Sequence, residues 1–519
     1  MMTKLLLDDA IQSTQLEKKN NPILSQIITA VSNFSVQYNF NSISIALIVM
    51  SESQCTLSSD ECKDGNQSDW VTGTATAMVF LGAVTGQISM GYAGDVLGRN
   101  KAMTLTLSLV CISSFFSAVV PFGSPSNVYT IIIIFRFIMG IGLGGVYPLS
   151  ATKAAEDGGD SHGNVNVTSA SYAFFWQTPG AMTPWLLALI FSSTSLSTNL
   201  KWRLLLGLGA VPALIVVICS LWETRQQALR EEEEFRSTGF TLNGQNERGL
   251  VNANKSTSST LMGSEDEQLA GYGPESVMQM LLREPNVWRK LLATGGCWFI
   301  YDIAYYGVNL FGGEILKAIS DSDDDSVSSD RSVRNVSQQQ LIALGTGVPA
   351  IMLAIYMLSR IGTKMLQIIG FGFIAFCFVL LAALFYPLKE NYQEALFSVY
   401  CFLLFSLSFG PNLTTFVLPA QTFSKKTRAT FNGLSAAMGK MGAFLGVYIF
   451  GPVAEATSYP VVMAICAVIS IVGVYMSFTY IDEKPSIDFE SCPLQDASAD
   501  GSNPIVESRY QQRDFHNKR

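Results

Sequence analysis

The sequence predicts an all-α membrane protein of twelve transmembrane helices in two pseudo-symmetric halves of six. Three observations carry this. Only 14% of the 519 residues are charged, against roughly a quarter in soluble domains, while 49% are hydrophobic and mean hydropathy is +0.30. Apolar stretches of about 20 residues, the length that crosses ~30 Å of hydrocarbon, recur along the whole chain. The basic residues of the short loops fall in alternate loops, as the positive-inside rule requires.

The chain opens with a polar tail, 1–25, that shows no cleavable signal pattern, so the first span is expected to serve as the targeting signal. The first half, 26–222, holds apolar spans at about 26–50, 70–93, 102–121, 127–151, 168–193 and 202–222. A hydrophilic central segment, 223–288, contains the acidic run Glu231–Glu234. The second half, 289–481, holds spans at about 289–318, 338–358, 364–386, 394–420, 430–453 and 457–481, and a polar tail, 482–519, follows.

Orientation is read from the loops. Arg99 and Lys101 follow span 2, Arg360 and Lys364 follow span 8, and Lys425, Lys426 and Arg428 follow span 10. The loops at 121–126 and 451–457 carry no Lys or Arg. Both termini and the central segment are therefore expected in the cytoplasm, with the plasma membrane as the expected location. The net charge of −8 resides largely in acidic loops such as Asp321–Asp325, which read as solvated charge and give no reason to expect nucleic acid.

Two histidines, His162 and His516, are too few for a histidine-based metal site or a catalytic triad, and no enzyme motif or cofactor fingerprint survives inspection. Of nine cysteines only Cys55 and Cys62 fall in an exoplasmic loop, where a disulfide and an unpaired couple both remain open. Asn66-Gln67-Ser68 and Asn335-Val336-Ser337 are acceptor sequons in loops expected outside, so the chain is expected to be a glycoprotein. Asn412-Leu413-Thr414 lies within a span and is not an acceptor.

Five segments carry chemistry. After span 2, Gly91-Tyr92-Ala93-Gly94-Asp95-Val96-Leu97-Gly98-Arg99-Asn100-Lys101 places a carboxylate at a helix end, a glycine to turn the chain, then basic residues: a charge latch between neighbouring helices. Span 4 combines Arg136 with Gly140, Gly142, Gly144 and Gly145. The glycines suit close helix packing, and a cation there must face the protein interior, as a structural pair or a substrate contact. Span 7 spaces Trp298, Asp302 and Tyr306 by four, stacking them on one helix face with an ionisable group in the middle. Span 10 is broken at Gly410-Pro411-Asn412, and irregular backbone at that depth is tolerated where it lines a cavity or is buried in protein. Span 11 carries Lys440 between Gly439 and Gly442.

The loop after span 2 resembles the signature of the major facilitator superfamily, with Asn100 where a second basic residue is usual. A degenerate echo, Arg360-Ile361-Gly362-Thr363-Lys364, follows span 8, with Ser359 in the place of Asp95. On the same resemblance Arg136 joins Asp95 and Arg99 as a conformational latch. Gly144–Thr152, Cys297–Gly307 and the run from Gly410 through Lys440 resemble the phosphate:proton symporter family of that superfamily. This resemblance implies the major facilitator fold and an anion site made by Tyr147, Gln177, Trp298, Asp302, Tyr306 and Asn412, with Lys440 near it. It also implies inorganic phosphate or a related anion as substrate and a proton, or another cation, as coupling ion. The departures are Val146 before the span 4 tyrosine, Gln37-Tyr38-Asn39-Phe40-Asn41 without a carboxylate in span 1, and Gln421 after span 10, each at a position where the family is acidic. Asp302 is then the remaining acidic group, and the expected carrier of the coupling proton. Two other readings stand beside this one: a transporter of another solute (a glycerol-phosphodiester, a sugar, a sodium-coupled anion) and a phosphate sensor that does not transport.

Overall fold

The described residues of the computed structural model are 22–55, 69–157, 166–249, 277–310, 329–390 and 392–482, and every element among them is helical. In chain order they are α1 (Pro22–Cys55), α2 (Asp69–Val96), α3 (Arg99–Val119), α4 (Pro125–Asp157), α5 (Val167–Phe175), α6 (Gln177–Ser192), α7 (Thr198–Gly207) and α8 (Ala210–Gly249). There follow α9 (Val277–Arg283), α10 (Val287–Leu291), a π-helical turn (Leu292–Gly296), α11 (Cys297–Leu310), α12 (Ser329–Gly345), α13 (Gly347–Lys389), α14 (Gln393–Ser408), α15 (Pro411–Thr422), α16 (Arg428–Ala456) and α17 (Tyr459–Tyr480). All of these lie in one compact unit, Met1–Glu483.

The distribution of polarity is that of a bilayer protein. Large apolar side chains such as Ile218, Phe376, Val468 and Phe478 stand exposed on the outside, while Asn33, Gln177, Arg136, Asp302 and Lys440 are buried within. Among the described residues seven helical stretches are long and apolar enough to cross a membrane. Helix α1 is not one of them, although it is long. Its Asn33, Gln37, Asn39 and Asn41 lower its hydropathy, and three of these four are buried toward other helices.

Several spans are interrupted, three of them for a reason legible in their residues. Span 5 divides at Trp176, because Pro179 in the first turn of α6 has no N–H to offer the carbonyl of Phe175. Span 7 contains the π-turn, which includes Gly295 and Gly296, just before Cys297. Span 10 breaks at Gly410, whose φ of 74° admits glycine at low cost, and restarts with Pro411 at the first helical position. Spans 8 and 9 run together as α13, divided only by Gly362 at φ 77°.

Glycines also set the closest helix contacts. A Cβ on Gly82 or Gly86 of α2 would fall 2.2 or 1.9 Å from the carbonyl oxygens of Phe137 and Ile141 in α4, and one on Gly140 or Gly144 would meet Val79 and Ala83 in return. This is small-xxx-small packing on both partners.

Three expectations change. The sixth span continues as helix to Gly249 instead of ending near 222, because its Glu, Gln, Arg and Ala are strong helix formers once outside the apolar stretch. The Asn335-Val336-Ser337 sequon lies inside α12 with Ser337 fully buried, not in a loop: the helix starts at Ser329, since the polar residues before 338 are helical too. The π-turn divides what was read as one seventh helix. The Cys55–Cys62 couple, the Asn66-Gln67-Ser68 sequon, the Asp321–Asp325 run and both histidines involve residues outside those described.

Candidate functional site

At the centre of the bundle Lys440 Nζ lies 2.9 Å from Asp302 Oδ2 and donates at 2.9 Å to Tyr306 Oη; both charged side chains are about 2% exposed. Helix spacing puts Trp298, Asp302 and Tyr306 on one face of α11. The close approach of α16 comes from Gly442 and Gly446, where a Cβ would sit 2.2 and 2.4 Å from the carbonyl oxygens of Phe299 and Ile303, and from Gly439 against the Trp298 indole. Only with backbones this near does the ammonium meet the carboxylate.

Aromatic faces complete the surroundings. Lys440 Nζ is 4.3 Å from the Tyr306 ring centroid, 5.0 Å from Tyr147 and 5.9 Å from Phe40. The Tyr147 and Trp298 rings meet edge to face at 6.0 Å. Tyr147 comes from α4 and Phe40 from α1, both of the first half, and the others from the second, so the cluster straddles the two sets of helices.

A chain of amides leads away from it. Gln37 Nε2 donates to Gln177 Oε1 at 3.0 Å and lies 3.4 Å from Tyr147 Oη, and Gln177 Nε2 donates to Asn33 Oδ1 at 2.7 Å. Gln37 and Gln177 line a cavity of about 30 Å³ together with Asn412, Tyr305, Thr178 and Ser408. That holds about two water molecules, less than a tetrahedral oxyanion needs. All seven residues expected at the site are thus brought together: Tyr147, Trp298, Asp302, Tyr306 and Lys440 in the charged cluster, Gln177 and Asn412 on the adjoining cavity wall. Sequence reasoning missed Asn33 and Tyr305, and it noted Gln37 only as a lost carboxylate. The available signal was the four-residue spacing of Asn33 and Gln37 within an otherwise apolar span.

At one end of the bundle stands the latch. Arg99 pairs with Asp95 at 2.9 Å and with Glu156 at 3.1 Å, and Arg428 shares Glu156 at 3.0 Å. Asp95 also accepts from Thr430 N at 2.7 Å and Thr430 Oγ1 at 2.6 Å, so its carboxylate caps the N-terminus of α16. Helices α2, α4 and α16 are thereby tied across the two halves. Arg136 is not part of this. It is fully buried, donates to Asn39 O at 2.7 Å and lies 3.5 Å from Ser42 Oγ. Along α4 it stands 20 residues, about 30 Å of helix, from Glu156. It ties α4 to α1, and no carboxylate pairs with it among the described residues. The echo loop carries Arg360 and Lys364, but its contact matching that of Arg99 on Glu156 is between uncharged groups: Thr363 Oγ1 donates to Gln421 Oε1 at 2.8 Å. At the opposite end, Ile43, Val49, Trp185, Leu205, Val333 and Val336 close α1, α6, α7 and α12 in an apolar cluster.

Residues 25–490 match the family model described as sugar (and other) transporter. The chain belongs to this family. Within it the chain is 31% identical over 495 residues to the inorganic phosphate transporter PT2 of Toxoplasma gondii, covering 95% of this chain and 78% of the relative. It is 28% identical over 452 residues to the probable inorganic phosphate transporter 1-6 of Arabidopsis thaliana, covering 80% and 83%. Inorganic phosphate transporter 1-6 of Oryza sativa subsp. japonica is 31% identical, with 73% of each chain covered. Among solved structures, the proton:xylose symporter XylE of the major facilitator superfamily superimposes with a TM-score of 0.64 at 18% identity, covering 89% of this chain and 97% of that one. The family member described here is therefore an integral membrane transporter with the major facilitator fold.

Proposed function

We propose that this chain carries inorganic phosphate across a membrane by alternating access, coupled to a proton through Asp302. The observation that carries the reading is the buried Lys440–Asp302 pair, wrapped by Tyr147, Trp298 and Tyr306 beside a cavity lined by Gln177 and Asn412. Its relatives named as inorganic phosphate transporters support the choice of substrate. A protonated phosphate both donates and accepts, and Tyr, Trp, Gln and Asn answer it with donors and some acceptors.

Charge balance gives the mechanism. With the site empty, the ammonium and the carboxylate sum to zero in a region where net charge is costly. A monoanion that enters with one proton leaves the sum at zero: Lys440 turns its N–H groups to the anion, and Asp302, now beside a negative charge, takes the proton. Anion and proton bind cooperatively, and both empty and loaded carriers rock without moving net charge through apolar surroundings. A neutral sugar gives no such use to the cation. The latch end, with its basic loops, faces the cytoplasm together with both termini, and the plasma membrane is the proposed location.

The reading is tested by uptake of labelled phosphate in cells lacking their own phosphate uptake, across a pH series, with arsenate, sulfate and sugars as competitors. Uptake that rises as external pH falls and is competed by arsenate but not by sugars supports it. Binding without flux marks a sensor, and competition by a sugar marks another substrate.

A further inference from the structure

Two amides inside the latch-end gate lack hydrogen-bond partners among the described residues. Gln87 on α2 and Asn432 on α16 are both fully buried, and neither the oxygen nor the nitrogen of either side chain has a partner among the described residues. A buried polar group left unpaired is costly to the fold, so four such atoms on two touching helices call for a reason. The place supplies one. Helices α2 and α16 meet backbone to backbone here: a Cβ on Gly433, next to Asn432, would lie 2.2 Å from the carbonyl oxygen of Gln87, and one on Gly91 would lie 2.7 Å from that of Ala429. Further toward the gate's mouth, Asp95 caps the same helix through Thr430. In the other direction Lys440 stands eight residues along α16, about 12 Å of helix. The amides therefore lie between the central site and the latch, on the contact that separates when the gate opens.

We propose that Gln87 and Asn432 form a second subsite for the departing oxyanion, covered in this closed gate and bared when α2 and α16 part. This rests on the phosphate reading above. Two primary amides offer N–H donors without charge, which suits a station that an anion must reach and then leave. The same unmet hydrogen bonds raise the closed gate in free energy relative to the open one, where water and the anion supply partners.

The test uses the purified full chain in proteoliposomes with labelled inorganic phosphate, comparing wild type with Gln87→Met and Asn432→Leu. The KM for phosphate presented on the cytoplasmic side is expected to rise about five-fold for each lost hydrogen bond, with the KM on the other side unchanged. The thermal midpoint of each variant is expected to rise, since an unpaired amide has been replaced by an apolar group. Normal wild-type flux with an unchanged cytoplasmic-side KM overturns this proposal alone. A lowered midpoint or failure to fold overturns it as well, because the amides would then be partnered parts of the core. Wild-type vesicles that move no phosphate overturn both readings together.

Discussion

Lys440 and Asp302 satisfy each other in the closed core, so removing one partner leaves the other as an uncompensated buried charge. Lys440→Met is expected to destabilise the protein by about 3–5 kcal/mol, read as a lowered thermal midpoint. Adding Asp302→Asn to Lys440→Met should recover most of that stability without restoring phosphate binding. A double variant as unstable as the single one would mean that the pair is not what holds α11 to α16. Much of this site was legible beforehand: the four-residue spacing of Trp298, Asp302 and Tyr306 is a helix-face statement, and a lysine among glycines in an apolar span had to point inward. The amide chain was not. Gln37 drew notice for the acid it lacks, and whether it reaches Gln177 and Tyr147 depends on how α1 packs against α4 and α6, which no local pattern encodes.

Helices, in this protein, are placed by their glycines. Gly442→Val puts a methyl-bearing carbon where the Phe299 carbonyl oxygen is only 2.2 Å from an ideal Cβ, so α16 must move off α11 by about an ångström. Phosphate affinity is expected to fall about 10- to 100-fold while the protein still inserts, as a displacement of that size costs at a positioned site. Wild-type affinity in a well-expressed Gly442→Val protein would contradict the packing account. The latch gives a second case. Asp95→Asn removes the ion pair with Arg99 and weakens the cap on α16. A loss of about 1–2 kcal/mol from the closed state shifts the equilibrium roughly 5- to 30-fold toward the form open at the latch end. Side-specific labelling of cysteines introduced near that end reads the shift, and unchanged labelling would remove Asp95 from the latch. Gln421→Leu, at the echo's Thr363 contact, should change the same labelling far less, because Thr363 gives up one hydrogen bond between uncharged groups. The helix break at Gly410 is legible in residue chemistry, whereas the one at Trp176 divides a span expected to run unbroken over 168–193. The continuation of α8 to Gly249 is not legible either, since charge ends a membrane span without ending a helix. Arg136 was misplaced for a related reason: a motif names residue types, and only the length of α4 shows that this arginine and Glu156 stand at different ends.

At the scale of the described helices, the bundle closes around a cavity too small for its proposed cargo, with the latch and the α2–α16 contact at one end and the apolar cluster around Trp185 at the other. The burial of Lys440 and Asp302 makes their charge balance decisive, because a net charge held away from bulk water is poorly screened. The twelve-span order was visible in the spacing of apolar stretches; the closed state was not, because sequence specifies the helices of both states alike. The measurement that bears most directly on proton coupling through Asp302 is labelled phosphate transport by purified Asp302→Asn protein in proteoliposomes, taken in two modes. Net uptake driven by an imposed pH gradient should be lost, since a neutral amide neither takes nor releases the proton that resets the empty carrier. Exchange of internal for external phosphate, which needs no return of the empty carrier, should persist. Accumulation of phosphate against its gradient at the wild-type rate in Asp302→Asn vesicles would contradict the account.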